Sequence, residues 1–220
     1  MVDYLNYGKK TQQLIPSSKD ELFQLFPIPV LVCSYSLDYT KELEWIRNID
    51  CRIENTFNKQ SINTFVLDSP ELVNIRSWIE LKLHEFVTNI YKSTDKLVIT
   101  QSWVNKNGKG ESHPEHTHPN SIVSGVWYPI IHEELPPIKF IGRNSRDVAL
   151  GKEQYNSFNS STMSMPMKKG ELILFPSNLM HSVAPNKLDE ERISLSFNTW
   201  AKGNIGNKES LTYLPLDRCV

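Results

Sequence analysis

Between Leu97 and Trp200 the chain is cut into seven short, largely apolar runs, and no other feature narrows its possible folds as much. The runs are Leu97–Val104, Ile122–Ile131, Ile138–Ile141, Met163–Met167, Leu172–Phe175, Ser182–Ala184 and Ile193–Trp200, separated by clusters of Gly, Pro and Asn. Such punctuation marks turns. Short strands joined by mostly local turns pair antiparallel, whereas a parallel sheet needs long crossovers. The pattern predicts a sandwich or barrel of jelly-roll type. Gly142–Thr162, a polar stretch of 21 residues, departs from it. A loop that long in a compact domain usually carries function or moves.

The N-terminal half reads differently. Thr40–Ile49 has Leu43 and Ile46 at helical spacing, with Asp38 placed to cap it. Ser69-Pro70-Glu71 reads as an N-cap, a proline at the first helical position and an acid in the first turn. Behind it Leu72, Ile75, Ile79, Leu83, Phe86 and Ile90 recur every three or four residues, one apolar stripe on a helix of about 20 residues. A sheet is the natural surface for that stripe. The expected fold is mainly β with α, a jelly-roll core buttressed by N-terminal helices. With no linker or repeat visible, residues 1–220 read as a single domain. Within it, 22–96 hold a first strand and the supporting helices, 97–200 the core, and 201–220 a tail.

Composition excludes several functions. The 220 residues carry 24 Lys+Arg and 25 Asp+Glu, a net charge of −1, which offers no electrostatic footprint for bulk nucleic acid. No segment approaches the roughly 20 apolar residues needed to span a bilayer. Met1–Lys10 lacks the basic-then-apolar order of a secretory signal. Cys33, Cys51 and Cys219 are odd in number, widely spaced and without a CxxC pair, against a disulfide framework or thiolate zinc site. They fit a reducing, cytoplasmic setting.

Histidine is the exception in this ordinary composition. Glu111–Ser121 contains His113, His116 and His118, the densest group of metal-ligand types in the chain. Imidazole binds divalent iron, zinc or copper through a neutral nitrogen. On an extended segment His116 and His118 share a face and Glu115 points away. His113 lies on the opposite parity unless Pro114 bends the chain. A third ligand must come from elsewhere, and His181, after an apolar strand and a turn, is the candidate. Eleven residues on, Arg192, Ser194, Ser196 and Asn198 share one face of a strand, with Ile193, Leu195 and Phe197 on the other. Turned inward, that polar face needs a polar ligand, and Arg192 with Ser194 would suit a carboxylate. The residues alone also permit a solvated histidine loop and a strand whose polar face meets water.

The order H-x-H, distal His, Arg-x-Ser resembles the Fe(II)/2-oxoglutarate-dependent dioxygenases. More closely it is similar to the 2-oxoglutarate–Fe(II) oxygenase family found in marine bacteria and their phages. The matching residues are Ser102-Trp-Val-Asn105, His116-Thr-His-Pro-Asn-Ser121, Ser124-Gly-Val-Trp-Tyr128, Gly170-Glu-Leu-Ile-Leu-Phe-Pro-Ser177, His181 and Arg192-Ile-Ser-Leu-Ser-Phe-Asn198. Leu25-Phe-Pro-Ile-Pro-Val30 matches the family's first strand. The resemblance covers roughly residues 22–200. It implies a double-stranded β-helix, with iron held by His116, His118 and His181. The distal carboxylate of 2-oxoglutarate would be held by Arg192 and Ser194, with Tyr128 a further donor and Ser124 a weaker candidate. It implies O2-dependent conversion of 2-oxoglutarate to succinate and CO2, coupled to hydroxylation in the cytoplasm of a bacterial or phage-infected cell.

The superfamily's second ligand is usually a carboxylate, and here His118 stands in its place. An alternative alignment takes His113-Pro-Glu115 as H-x-E. The substrate, a small molecule or protein side chain, is not specified, and a homo-oligomer is left open. Arg143 and Arg146 in the long loop could close over substrate. Two other readings stay open: a cupin-like metal or ligand binder without turnover, and a zinc hydrolase using His113, His116 and His118. His84, His132-Glu133-Glu134, Trp45, Trp78 and the alternating Met163, Met165 and Met167 read as surface, turn or packing residues.

Overall fold

Two antiparallel sheets facing each other account for the strand pattern. The structure, a computed structural model, describes residues 24–53, 57–142 and 151–216. The strands are β1 (Leu31–Ser34), β2 (Cys51–Ile53), β3 (Lys59–Ser61), β4 (Lys96–Asn107), β5 (His113–His116), β6 (Val123–Ile130), β7 (Ile138–Ile141), β8 (Thr162–Met165), β9 (Glu171–Pro176), β10 (His181–Val183) and β11 (Arg192–Lys202). The helices are α1 (Thr40–Asn48) and α2 (Val73–Glu85). The larger sheet runs β1-β9-β6-β11-β4-β3-β2 and the smaller β5-β10-β7-β8. This is a jelly-roll core with N-terminal helices outside it.

The larger sheet is buried on both faces, and period-2 alternation sorts its residues between them. Val104, Trp127, Leu172, Leu174, Leu195 and Phe197 pack with Ile46 of α1 and with Ile75, Ile79 and Leu83 of α2. From the other face Val126, Tyr128, Ile173 and Phe175 pack with Ile138 and Phe140 of the smaller sheet. Phe140 meets Phe175 edge-on at 5.1 Å. Arg192, Ser194 and Ser196 are buried between the sheets, with Asn198 on the same strand face.

Gly125 makes the helix-side packing possible. A Cβ there would collide with the Phe197 ring and come within 2.8 Å of Leu174 Cδ2. Gly125→Ala is therefore expected to cost about 1–3 kcal/mol, as overpacking of a full core does. Urea unfolding checks it; an unchanged midpoint would show that the two side chains can step aside.

Departures from the sequence reading have local causes. The run Pro70–Ile90 is not one uniform helix: a 3-10 turn (Pro70–Leu72) precedes α2 and a π-turn (Phe86–Ile90) follows it. The wider turn shifts the stripe, so Phe86 and Val87 are buried while Ile90 is 41% exposed. Ser69 occupies the N-cap position without a side-chain cap bond. Asp38 does accept from the Thr40 amide at 3.1 Å. The first strand lies at Leu31–Ser34, beyond the Leu25–Val30 motif, where it pairs with β9. β2 and β3 were not expected, being only three residues each, with no apolar residue in β3. Arg143 and Arg146 lie outside the described residues. Met165 and Met167 pack in the core between the sheets, as read.

Candidate metal centre and cavity

The smaller sheet turns the histidines inward through a bulge. Across β5 and β10, His116 pairs with His181 and His113 with Val183. Two residues, Pro114 and Glu115, thus oppose the single Ser182, which reverses the parity of His113. Both His113 and His116 line the cavity between the sheets, while Pro114 and Glu115 are exposed. His118 lies two residues past β5, and its amide donates to the Ser177 carbonyl at 2.9 Å. Hydroxyls pin this turn: Ser177 donates to Ser121 at 2.7 Å and contacts Ser124 at 2.8 Å, and Ser121 accepts from the Thr199 amide at 3.1 Å. Ser124 therefore belongs to the support of the loop.

His116, His118 and His181 each present a ring nitrogen, all within 4.8 Å of one another. In every case the other nitrogen is tied to an acceptor. His116 Nδ1 meets the Pro114 carbonyl at 2.8 Å, His118 Nδ1 the Asn198 Oδ1 at 2.6 Å, and His181 Nδ1 the Leu179 carbonyl at 2.9 Å. Each Nδ1 must carry the proton, so each Nε2 holds a bare lone pair. His118 Nε2 and His181 Nε2 face each other at 3.2 Å, an arrangement of two acceptors that a shared cation resolves. Three neutral imidazoles, each oriented by an acceptor behind it, suit a divalent transition metal with positions left open. Trp103 stacks on His118 at 5.9 Å, and Phe175 lies edge-on to His181 at 4.9 Å.

Burial keeps His118 and His181 neutral, lowering them to about 4 and about 3 from the usual histidine value near 6.5. His113 falls to about 3, first through burial and then through the positive field of Arg192. The unfolded chain binds these protons near pH 6.5; the folded, metal-free chain refuses them until about pH 3–4. Stability is therefore fully present above pH 6.5 and is lost as pH falls through that window. The slope approaches about 1.4 kcal/mol per pH unit for each histidine. Urea unfolding of the metal-free protein at about pH 7 and about pH 4.5 reads this directly, and a flat profile would contradict it.

The cavity, about 450 Å³, runs from the three histidines to Arg192. Arg192 is 1% exposed. Its Nε donates to the Pro136 carbonyl at 3.1 Å, NH1 to Ser194 Oγ at 3.3 Å and NH2 to the Tyr128 hydroxyl at 3.3 Å. Tyr128 is fully buried, and burial raises its phenol pKa despite the opposing pull of Arg192, so it stays protonated. Among the described residues no carboxylate pairs with Arg192. A buried cation without an anion is expensive, and an anionic ligand relieves it.

The structure thus brings His116, His118 and His181 together at one end and Arg192, Ser194 and Tyr128 at the other. The group within ligand reach contains His181 rather than His113, and Glu115 points to solvent. Sequence reading placed Asn198 on the polar strand face without seeing that it orients His118. It missed a side wall in which Asn105 Oδ1 accepts from Asn58 Nδ2, Gln60 Nε2 and Trp103 Nε1 at 3.2–3.3 Å. No sequence signal marked Asn58 and Gln60, which lie before and within the unforeseen β3.

Fold and site together define a class: a jelly roll with a candidate metal-binding histidine group facing a buried cationic anchor. Residues 101–198 match the family described as "Putative 2OG-Fe(II) oxygenase". That span carries the three histidines together with Arg192, Ser194 and Tyr128. Solved structures share the fold. HygX from Streptomyces hygroscopicus, with nickel, 2-oxoglutarate and hygromycin B bound, is 13% identical, TM-score 0.55, over 78% of this chain and 82% of its own. A Pseudomonas putida prolyl-4-hydroxylase is 13% identical, TM-score 0.55, over 80% and 92%. A 2OG-Fe(II) oxygenase family oxidoreductase from Burkholderia pseudomallei is 10% identical, TM-score 0.53, over 72% and 75%. No curated protein matches the chain. Among the described residues no helix is long and apolar enough to cross a membrane.

Proposed function

We propose that this chain is an Fe(II)- and 2-oxoglutarate-dependent dioxygenase that hydroxylates a small molecule or protein side chain, releasing succinate and CO2. One observation carries the reading: three Nε2 lone pairs converge at one end of a cavity whose other end is a buried Arg192 with no carboxylate partner among the described residues. In this reading His116, His118 and His181 hold the metal. Iron, when bound, supplies the activation of O2 that oxidatively decarboxylates the co-substrate.

The chain's own groups do the rest. Arg192 neutralises the distal carboxylate, and its geometry is preset by Ser194 and Tyr128. The Tyr128 hydroxyl, kept protonated, adds a donor to the same carboxylate. Val126, Ile138 and Val183 line the cavity without polar groups, which excludes water from the space between anchor and histidines. Asn198, Leu179 and Pro114 keep the three Nδ1 protons in place, so the lone pairs stay aimed inward. With three neutral ligands, no protein anion offsets the metal's charge, and the co-substrate's own carboxylates become the local counter-charge.

The test is succinate formation from 2-oxoglutarate by anaerobically Fe(II)-loaded protein on admitting air. Turnover that disappears in both His181→Ala and Arg192→Ala supports the reading. Turnover indifferent to either removes it, and tight metal binding without any succinate would favour a non-catalytic binder.

A further inference from the structure

His113 is left over once the three ligand histidines and the anchor are assigned. The β5 bulge turns it into the same cavity, and its ring lies 6.0 Å from that of His116. Its Nε2 sits 3.0 Å from Asn58 Nδ2. An amide nitrogen can only donate, so Nε2 accepts and the ring proton is on Nδ1. Among the described residues nothing accepts that Nδ1–H. Elsewhere in this wall Asn58, Gln60 and Trp103 each donate to Asn105 Oδ1, and Asn105 Nδ2 donates to Ser196 at 3.0 Å. His113, Arg192 and the metal-ligand candidates His116, His118 and His181 all line this one cavity.

We infer that His113 is a further co-substrate-binding residue, donating its Nδ1–H to the bound 2-oxo acid near the metal end of the cavity. The inference rests on the proposed 2-oxoglutarate reading. Asn58 is its positioning partner: it fixes the tautomer, so the donor rather than the lone pair faces the ligand. Since a 2-oxo acid carries oxygens along its length, one fixed neutral donor on the side wall selects against ligands that present an apolar edge there. With its Nε2 lone pair held by Asn58 Nδ2, His113 adds this contact without competing for the metal.

The experiment is calorimetric titration of 2-oxoglutarate into the anaerobic Fe(II)-loaded full chain, comparing wild type with His113→Ala and His113→Asn. A hydrogen bond to a charged ligand predicts about 10-fold to 100-fold weaker binding in His113→Ala. Iron affinity should be unchanged. His113→Asn, whose amide N–H occupies the place of Nδ1, should recover most of the affinity; a role in packing alone would not be rescued. Unchanged 2-oxoglutarate affinity in His113→Ala overturns the inference, and so does loss of the iron itself, which would make His113 a ligand. Failure of the wild type to bind 2-oxoglutarate would instead strike the reading beneath it.

Discussion

Replacing His181 with alanine is expected to weaken Fe(II) binding more than about 100-fold and to bring succinate formation to background. The bound follows from scale: losing a group that merely orients a ligand costs about 10-fold to 100-fold in metal affinity, so losing the ligand costs more. His181 is 4% exposed, its Nδ1 is tethered, and its Nε2 lies 3.2 Å from that of His118. Among the described residues no spare donor stands ready behind it: Glu115 faces solvent and the His113 Nε2 is held by Asn58 Nδ2. The fold should survive, since the substitution removes a desolvated imidazole facing a polar cavity rather than a core side chain. Chelator competition gives the affinity, and near-ultraviolet circular dichroism checks the fold. Retained iron affinity in a folded His181→Ala protein would move the ligand set elsewhere, to His113 and Glu115 first.

Arg192→Met should separate binding from stability. Hydrogen bonds to charged partners are worth about 1.5–3 kcal/mol, so 2-oxoglutarate affinity should fall by roughly 10-fold to 150-fold. The ligand-free protein should not be destabilised in proportion. Arg192 is buried with no carboxylate partner among the described residues, and methionine fills similar space without a desolvated charge. The hydrogen bond to Pro136 is lost, but the cost of burying the cation goes with it. Stability unchanged or raised, with ligand affinity collapsed, is the mark of a charge kept for function. Calorimetry and urea unfolding read the two halves. A large destabilisation with intact 2-oxoglutarate binding would make Arg192 a structural residue.

The legible part of this molecule was what local periodicity encodes. Alternation in Arg192–Asn198 told which side chains face inward because a strand's pleat fixes that without reference to partners. The apolar stripe from Leu72 to Ile90 pointed to a helix on a sheet for the same reason, and only its last member, at the end of the π-turn, is exposed. What stayed hidden depends on partners distant in sequence. His113 faces the cavity only because β10 pairs with β5 around a bulge, and no pattern within His-Pro-Glu-His specifies that register. The Asn198–His118 bond joins residues 80 apart. β3 is too short and polar to announce itself, yet with Asn58 and Gln60 it builds one wall of the cavity. The H-x-H spacing and the strand before His181 named three ligand candidates; that His181 lies beside His116 depends on the pairing of β10 with β5.

The most direct measurement is a crystal structure of the anaerobic protein with Fe(II) and 2-oxoglutarate, with the metal located by anomalous scattering at the iron edge. The account predicts a single iron bonded to Nε2 of His116, His118 and His181, with the distal carboxylate of 2-oxoglutarate on Arg192. Iron held instead by His113 and Glu115, or 2-oxoglutarate bound away from Arg192, would contradict it.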